Sequence, residues 1–290
     1  MVERLALGTV QFGCAYGVAN QVGKVAKKEV EHILGFARSV GINTLDTAIA
    51  YGDSEDVLGA IGVQEWNVIT KLPAIPDGQS DVSNWVLESI NQSIRRIGTP
   101  KLHGLLLHRP EQINGQHGNH LLQGLERAKS LGLIGKVGVS IYDPEQLQIF
   151  LDSMPIDIVQ APLNILDRRL IESGWASRLS SAGIEIHVRS AFLQGLLLMP
   201  PNIRPKKFDR WMGLWKIWDE WLLNHKIKPI DACIKFALSI REVNKVVIGV
   251  DSESQLRQII ETLDDGVLHL PELLNCGDVD LLNPVNWGKL

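Results

Sequence analysis

Eight short apolar runs alternate with segments of helical period along this 290-residue chain, at roughly 30-residue spacing. The runs are Leu5–Gly8, Thr44–Asp46, Val68–Lys71, Leu102–His108, Lys136–Ser140, Asp157–Ala161, Glu185–Ser190 and Lys245–Gly249. Short buried strands that alternate with helices read as parallel βαβ units. Eight of them predict an α/β fold, a (β/α)8 TIM barrel, with its active site at the carboxyl ends of the strands. Among the helical segments, Lys27–Val40 carries Val30, Ile33, Leu34 and Ala37 on one side, and Gly41 ends it. Ser54 reads as the cap of a helix faced by Val57, Leu58 and Ile61. Asp81–Ile97 and Leu121–Leu131 follow, Pro144 opens another helix, and Leu166–Ala182 contains the sixth. The eighth unit is longer, with helices near Phe208–His225 and Pro229–Ser239 before its strand, and Ser252–Leu263 closes the set. No linker interrupts the series, so residues 1–290 are read as one domain.

Composition narrows the class of partner. With 45% apolar and 21% charged residues the chain has an ordinary globular balance and enough length for a real core. A net charge of −4 argues against nucleic acid or an anionic membrane as a partner. Three scattered cysteines, Cys14, Cys233 and Cys276, make no disulfide framework and suggest a reducing compartment. No run is long enough to span a membrane and MVERLALG has no signal-peptide core, so the cytoplasm is the expected location. A monomer or weak oligomer acting on a small molecule is expected.

Three of the strands end in chemistry. Asp46 ends the second, Lys71 the third and His108 the fourth, while Tyr51 sits in the loop after Asp46. A buried lysine is costly unless paired, and Asp46 is its natural partner. Together the four suit one task. Tyr51 gives a proton to a carbonyl oxygen, Lys71 stabilises the phenolate left behind, Asp46 aims Lys71, and His108 orients the carbonyl. A metal site would want at least three ligands of the His or carboxylate type. His103 faces the opposite way from His108 by strand parity, and His117 and His120 fall in the polar stretch GQHGNH, so no metal is predicted. Neither GxGxxG after the first strand nor a phosphate loop is present, so a dinucleotide would be held in another way.

GINTLDTAIAYGDSEDVLG, VITKLP and LLLHRP resemble the three signature blocks of the aldo-keto reductases, and the resemblance runs from Leu5 to about Leu263. It implies an NAD(P)H-dependent oxidoreductase that converts an aldehyde or ketone to an alcohol, or the reverse, with hydride from nicotinamide and the proton from Tyr51. The cofactor would lie extended across the barrel mouth. Ser140 and Gln160 correspond to groups that bond its carboxamide, with Asn164 in support. RSAFLQGLL, residues 189–197, resembles the pyrophosphate loop, where Ser190, Gln194 and Gly195 offer a hydroxyl, an amide and backbone N–H groups. Gly8 and Thr9 after the first strand, and Gly249 after the last, are counted with the cofactor groups.

Two departures from the family pattern stand out. Arg189 occupies a place where many members put an aromatic that stacks on nicotinamide; its planar guanidinium can also stack and is counted with the cofactor groups, while its charge offers an acidic substrate a partner as the alternative. Asp251 stands where a basic residue commonly grips the 2′-phosphate of NADP; an acid suits the free ribose hydroxyl of NAD. Ser252, Gln255 and Arg257 remain for the adenosine end. NADP is therefore expected from the family, with NAD close behind. The alternatives are a cofactor-binding regulatory subunit, or a dedicated reductase of a sugar or sugar-nucleotide pathway, to which LGTVQFGCAYGVAN with VRSAFLQGLL bears some resemblance. Trp211, Trp215, Trp218 and Trp221 form one helical stripe, read as packing against the barrel. The tail through Trp287 covers either the mouth or the side.

Overall fold

A computed structural model of the chain describes residues 1–263 and 270–290. Eight parallel strands, β1 (Leu5–Gly8), β2 (Thr44–Asp46), β3 (Asn67–Leu72), β4 (Leu102–Leu107), β5 (Ile134–Ser140), β6 (Ile158–Pro162), β7 (Glu185–Arg189) and β8 (Lys245–Gly249), close in sequence order into a barrel. Closure is made by β1, whose Gly8 registers with Asp46 of β2 on one side and Gly249 of β8 on the other. Closure leaves no strand edge open, and the helices between strands cover the outside. No helix among the described residues is long and apolar enough to cross a membrane.

Alternation along the strands sorts the side chains into layers. Ile69, Leu106 and Ile158 meet as a small apolar cluster inside the barrel, distinct from the larger core between strands and helices. Gly138 makes room for it, since a Cβ there would lie 2.7 Å from Leu106. Two residues further along the same strands, on the same face, come Lys71, His108, Ser140 and Gln160 at the mouth. At the opposite end a charged group closes the barrel, with Glu185 accepting from Lys136 at 2.5 Å and lying 3.5 Å from buried His187. The electrostatic neighbours of His103 are Lys136, Glu185, His187 and Lys245, so this histidine belongs to the closed end and not with His108.

The outward neighbour of Lys71 serves the shell. Thr70 donates to Glu55 Oε1 at 2.7 Å, Ser93 donates to the same oxygen at 2.7 Å, and Arg96 holds Oε2 through Nε at 2.8 Å and Nη2 at 2.6 Å. Glu55 is only 3% exposed and ties β3 to the helices Ser54–Ile61 and Val82–Ile97. Breaking such a buried pair from one side leaves the other charge without its partner. Glu55→Ala is expected to cost about 3 kcal/mol and to lower Tm by about 6–10 °C in a thermal melt. A drop below about 2 °C would show that solvent replaces the carboxylate.

Several local readings are corrected. Asp53, not Ser54, occupies the cap position; Ser54 is the first helical residue, and its hydroxyl is spent on Thr9. His120 lies in the first turn of the helix Gly118–Ser130, so the polar GQHGNH stretch is part helix. The sixth helix is broken into Arg169–Glu172 and Trp175–Ser181 at Gly174, whose φ of +78° no helix accepts. Trp211 belongs to a 3-10 turn, Lys206–Trp211, ahead of the helix Met212–His225 that carries the other three tryptophans. All four indoles are buried, and Trp218 donates to the carbonyl of Leu197 at 3.2 Å, which moors the helix to the segment after β7. The tail packs on the 3-10 turn ahead of this helix, with the Trp287 ring 4.9 Å from that of Phe208. None of the described tail residues lines the mouth of the barrel.

Candidate active site

The loop that follows β2 is fixed before any charge is considered. Thr47 and Ile49 donate backbone N–H groups to Ile69 and Lys71 of β3 at 2.8 and 3.2 Å, extending the sheet pairing past Asp46. Tyr51 then turns back on Ala48, and its carbonyl lies against Gly13, where a Cβ would sit 1.8 Å away. Gly52 presses back on Gly13 from φ +58°. Glycine at both positions lets backbone meet backbone, and the contact sets the depth at which the phenol stands.

At the mouth, Lys71 is 1% exposed. Its ammonium donates to Asp46 Oδ1 at 2.5 Å and to the Thr47 carbonyl at 2.9 Å, and stands 3.5 Å from the Tyr51 hydroxyl. Burial alone would push the lysine down; Asp46 and Tyr51 outweigh it and hold its pKa above the ordinary value. The ammonium is thus kept charged beside the phenol. His108 packs edge-on to Tyr51, with ring centroids 5.9 Å apart. Burial first, then the positive charges of Lys71 and Arg189, lower its pKa to about 4. The ring is therefore neutral at pH 7 and can both donate and accept. An NMR titration of the imidazole should show a midpoint near 4, with no histidine step from residue 108 between pH 5 and 8. A midpoint near 6.5 would place the ring in water.

The other carboxylate oxygen of Asp46 accepts from Gln160 Nε2 at 2.6 Å, and Gln160 Oε1 takes the Ser140 hydroxyl at 3.4 Å. Gln160 is 0% exposed and absent from the cavity wall, so its amide is committed to Asp46. Of the two groups expected from sequence to meet a carboxamide, Gln160 thus lies behind Ser140 and bonds Asp46. Ser140 alone reaches the wall. Asn164 also points elsewhere, bonding the Ser190 carbonyl at 3.1 Å and the N–H groups of Leu166 and Asp167, so it supports the loop after β7.

A cavity of about 400 Å³ opens over these groups and runs from Tyr51 and His108 towards β8. Gly8, Thr9, Ser140, Arg189, Ser190, Gln194, Gly195, Gly249, Asp251 and Gln255 all contribute to its wall; Ser252 does not, and caps the helix Glu253–Glu261 through the Gln255 N–H at 3.2 Å. The loop after β7 holds Ser190, Leu193 and Gln194 at φ of 63°, 48° and 54°, left-handed backbone that costs on the order of 1–3 kcal/mol per residue and recurs at ligand clamps. Gln194 donates to the Tyr16 hydroxyl at 3.1 Å, so the loops after β1 and β7 meet across the cavity. Two buried acceptor oxygens there lack a partner, Gln11 Oε1 and Asp251 Oδ1. An extended dinucleotide fits this wall, because ribose hydroxyls and a carboxamide are the donors such oxygens want. Sequence reasoning missed Gln11, Tyr16 and Tyr142. Their one signal was position, just beyond strand ends, with Tyr16 and Gln11 in a glycine-rich stretch.

The model of the Aldo/keto reductase family matches residues 4–269. Among curated proteins, an "Aldo-keto reductase" of Mycobacterium sp. (strain MCS) is 30% identical over 138 residues, 45% of this chain and 46% of that protein. The NAD/NADP-dependent indole-3-acetaldehyde reductase of Schizosaccharomyces pombe is 30% identical over 152 residues, 49% of this chain and 51% of that protein. The matches thus span about half the length of these relatives. Among solved structures, the holo form of aldo-keto reductase AKR11C1 from Bacillus halodurans superposes with a TM-score of 0.73 at 21% identity, over 92% of this chain and 88% of that one. Its match concerns the fold; the family model reaches nearly the whole chain, from the strand before the glycine-rich loop to beyond β8. With the family model matched over residues 4–269 of a closed eight-stranded barrel, and the phenol, ammonium, carboxylate and imidazole gathered at its mouth, the chain belongs to the aldo/keto reductase family.

Proposed function

We propose that this protein is an NAD(P)H-dependent oxidoreductase that interconverts an aldehyde or ketone with an alcohol at the mouth of the barrel. The observation that carries the reading is the phenol of Tyr51, 3.5 Å from an ammonium that Asp46 holds at 2.5 Å. The bound nicotinamide would supply the hydride. This chain's residues handle the proton. A substrate oxygen seated between Tyr51 and His108 receives a hydrogen bond from each, which polarises its carbonyl. Tyr51 gives up its proton as negative charge develops on that oxygen, and Lys71 stabilises the phenolate across the same short gap. Asp46 keeps Lys71 aimed, and Gln160 keeps Asp46 aimed through the second carboxylate oxygen. Gln160 is therefore a positioning residue.

For the cofactor we favour NADH over NADPH, against the family-based expectation. Arg257, the first cation after Asp251 in sequence, is spent on Glu253 at 2.7 Å and stacked on Phe36 at 3.9 Å. Among the described residues Arg189 is the one arginine or lysine on the cavity wall, and it stands at the β7 end. A 2′-phosphate at β8 would meet the unpaired Asp251 oxygen, whereas a free ribose hydroxyl would donate to it.

The regulatory-subunit alternative predicts slow chemistry. Steady-state assay of NADH oxidation with reactive aromatic aldehydes is expected to approach the enzyme median, about 10 per second. A rate below about 0.01 per second with every aldehyde would favour the regulatory reading. The sugar-pathway alternative gains no separate support from a residue on the cavity wall.

A further inference from the structure

We propose that the substrate carries an anionic group, a carboxylate or a phosphate, held by Arg189 beside the reacting carbonyl. The inference rests on the carbonyl-reductase reading above and adds the substrate's charge. Arg189 ends β7 and lines the same cavity as Tyr51 and His108. Its guanidinium is placed with care. Nη2 donates to the Ile141 carbonyl at 3.0 Å, Nη1 to the Ser190 hydroxyl at 3.3 Å, and its central carbon lies 4.3 Å over the Tyr142 ring. Those bonds use two of the five N–H donors that an arginine carries, and the side chain contributes to the cavity wall.

Among the described residues no carboxylate pairs with Arg189. Other half-buried arginines are used up: Arg96 by Glu55, Arg169 by Asp167, Arg204 by Asp219, and Arg4 by the carbonyls of Leu238, Ile240 and Val243. The two acids on the wall are committed or distant, because Asp46 is shared by Lys71 and Gln160 and Asp251 belongs to the β8 end. A half-buried cation with free donors in a concave site is costly until an anion pairs with it, and the planar fork suits a carboxylate or phosphate in particular. The depressed His108 pKa reports the same positive field, with Arg189 among its sources.

Stacking on the nicotinamide, the family's use of this position, is the rival, and pyrophosphate binding is another. The support on Tyr142 and Ile141 sets Arg189 at the β5 side, next to Ser140 and His108 and away from Asp251.

The test compares matched aldehydes in the full-length wild type and in Arg189→Met: 4-carboxybenzaldehyde against its methyl ester, and glyceraldehyde 3-phosphate against glyceraldehyde. NADH and NADPH affinities are titrated separately by fluorescence. Wild type is expected to favour the anionic member of one pair at least tenfold in kcat/KM, and which pair responds identifies the anion. Arg189→Met should cut that ratio about 30- to 100-fold, the range that loss of a charged hydrogen-bond partner gives, with Arg189→Lys recovering part of it. Equal use of both members in both pairs, or an unchanged ratio in the variant, overturns the proposal. So does a tenfold loss of nucleotide affinity in Arg189→Met with the ratio intact, which would make Arg189 a cofactor ligand. Absence of turnover with the neutral aldehydes as well as the anionic ones would instead sink the reductase reading, and this inference with it.

Discussion

Tyr51→Phe is expected to lower kcat for aldehyde reduction by about 1000- to 10,000-fold while the dissociation constant for NADH changes less than twofold. The substitution removes one oxygen and leaves the ring, so packing against His108 and the backbone contact with Gly13 survive. What disappears is the proton donor that stands 3.5 Å from Lys71. General acid catalysis contributes roughly 10²–10⁴-fold, and the upper part of that range applies because the nearest other acid, the Lys71 ammonium, is held by Asp46 and has a raised pKa. His108, with a pKa of about 4, is not protonated at neutral pH and makes a poor substitute. The barrier should rise by about 4–5.5 kcal/mol. Single-turnover measurement of NADH oxidation separates this from slower product release, and a variant within tenfold of wild type would take Tyr51 out of the acid role. A mere cofactor-binding subunit would show no such contrast.

The barrel was legible because burial writes a simple pattern. Strands covered on both sides must be apolar, and each must be followed by a helix long enough to return the chain, so strand positions come out within one or two residues. The four groups proposed as catalytic could be grouped for a related reason: a lysine at the end of a buried strand demands a partner, and Asp46 ends the neighbouring one. The bond of Gln160 to Asp46 was not legible because it spans 114 residues of sequence and crosses the barrel interior, where strand order alone does not say which side chains touch. The Ser54 cap failed through competition, since Thr9 offers the hydroxyl better partners than the helix N-terminus does. Arg257 looked free in sequence but sits four residues after Glu253 on one helix face, a spacing that pairs them. Gln11 and Tyr16 were hidden because loops carry function without periodicity.

Asp251→Arg is expected to raise the NADPH-to-NADH ratio of kcat/KM by on the order of 300-fold, mostly through KM. The wild-type carboxyl sits at the β8 end of the cavity with Oδ1 buried and unpartnered, while its own backbone N–H is occupied by Gln255 Oε1 at 2.7 Å. Burial raises its pKa above the ordinary aspartate value. The sign matters here. A raised carboxyl is the protonated form stabilised, so a drop in pH moves the wild type towards a neutral Asp251 and relieves repulsion of a phosphate. NADPH use by the wild type should therefore improve relative to NADH as pH falls towards the raised Asp251 pKa, and the variant should lose that dependence. Like charges at close range near a protein surface cost on the order of 4 kcal/mol at an effective dielectric of 20, and opposite charges gain comparably before desolvation is subtracted. Even a fraction of that swing exceeds the factor expected. Asp251→Asn separates the two contributions, since it removes the repulsion without adding a grip, and should give an intermediate ratio. If wild type already binds NADPH tenfold more tightly than NADH in a fluorescence titration, Asp251 does not face the 2′ position, and the orphaned oxygen must serve a hydroxyl elsewhere on the adenosine half.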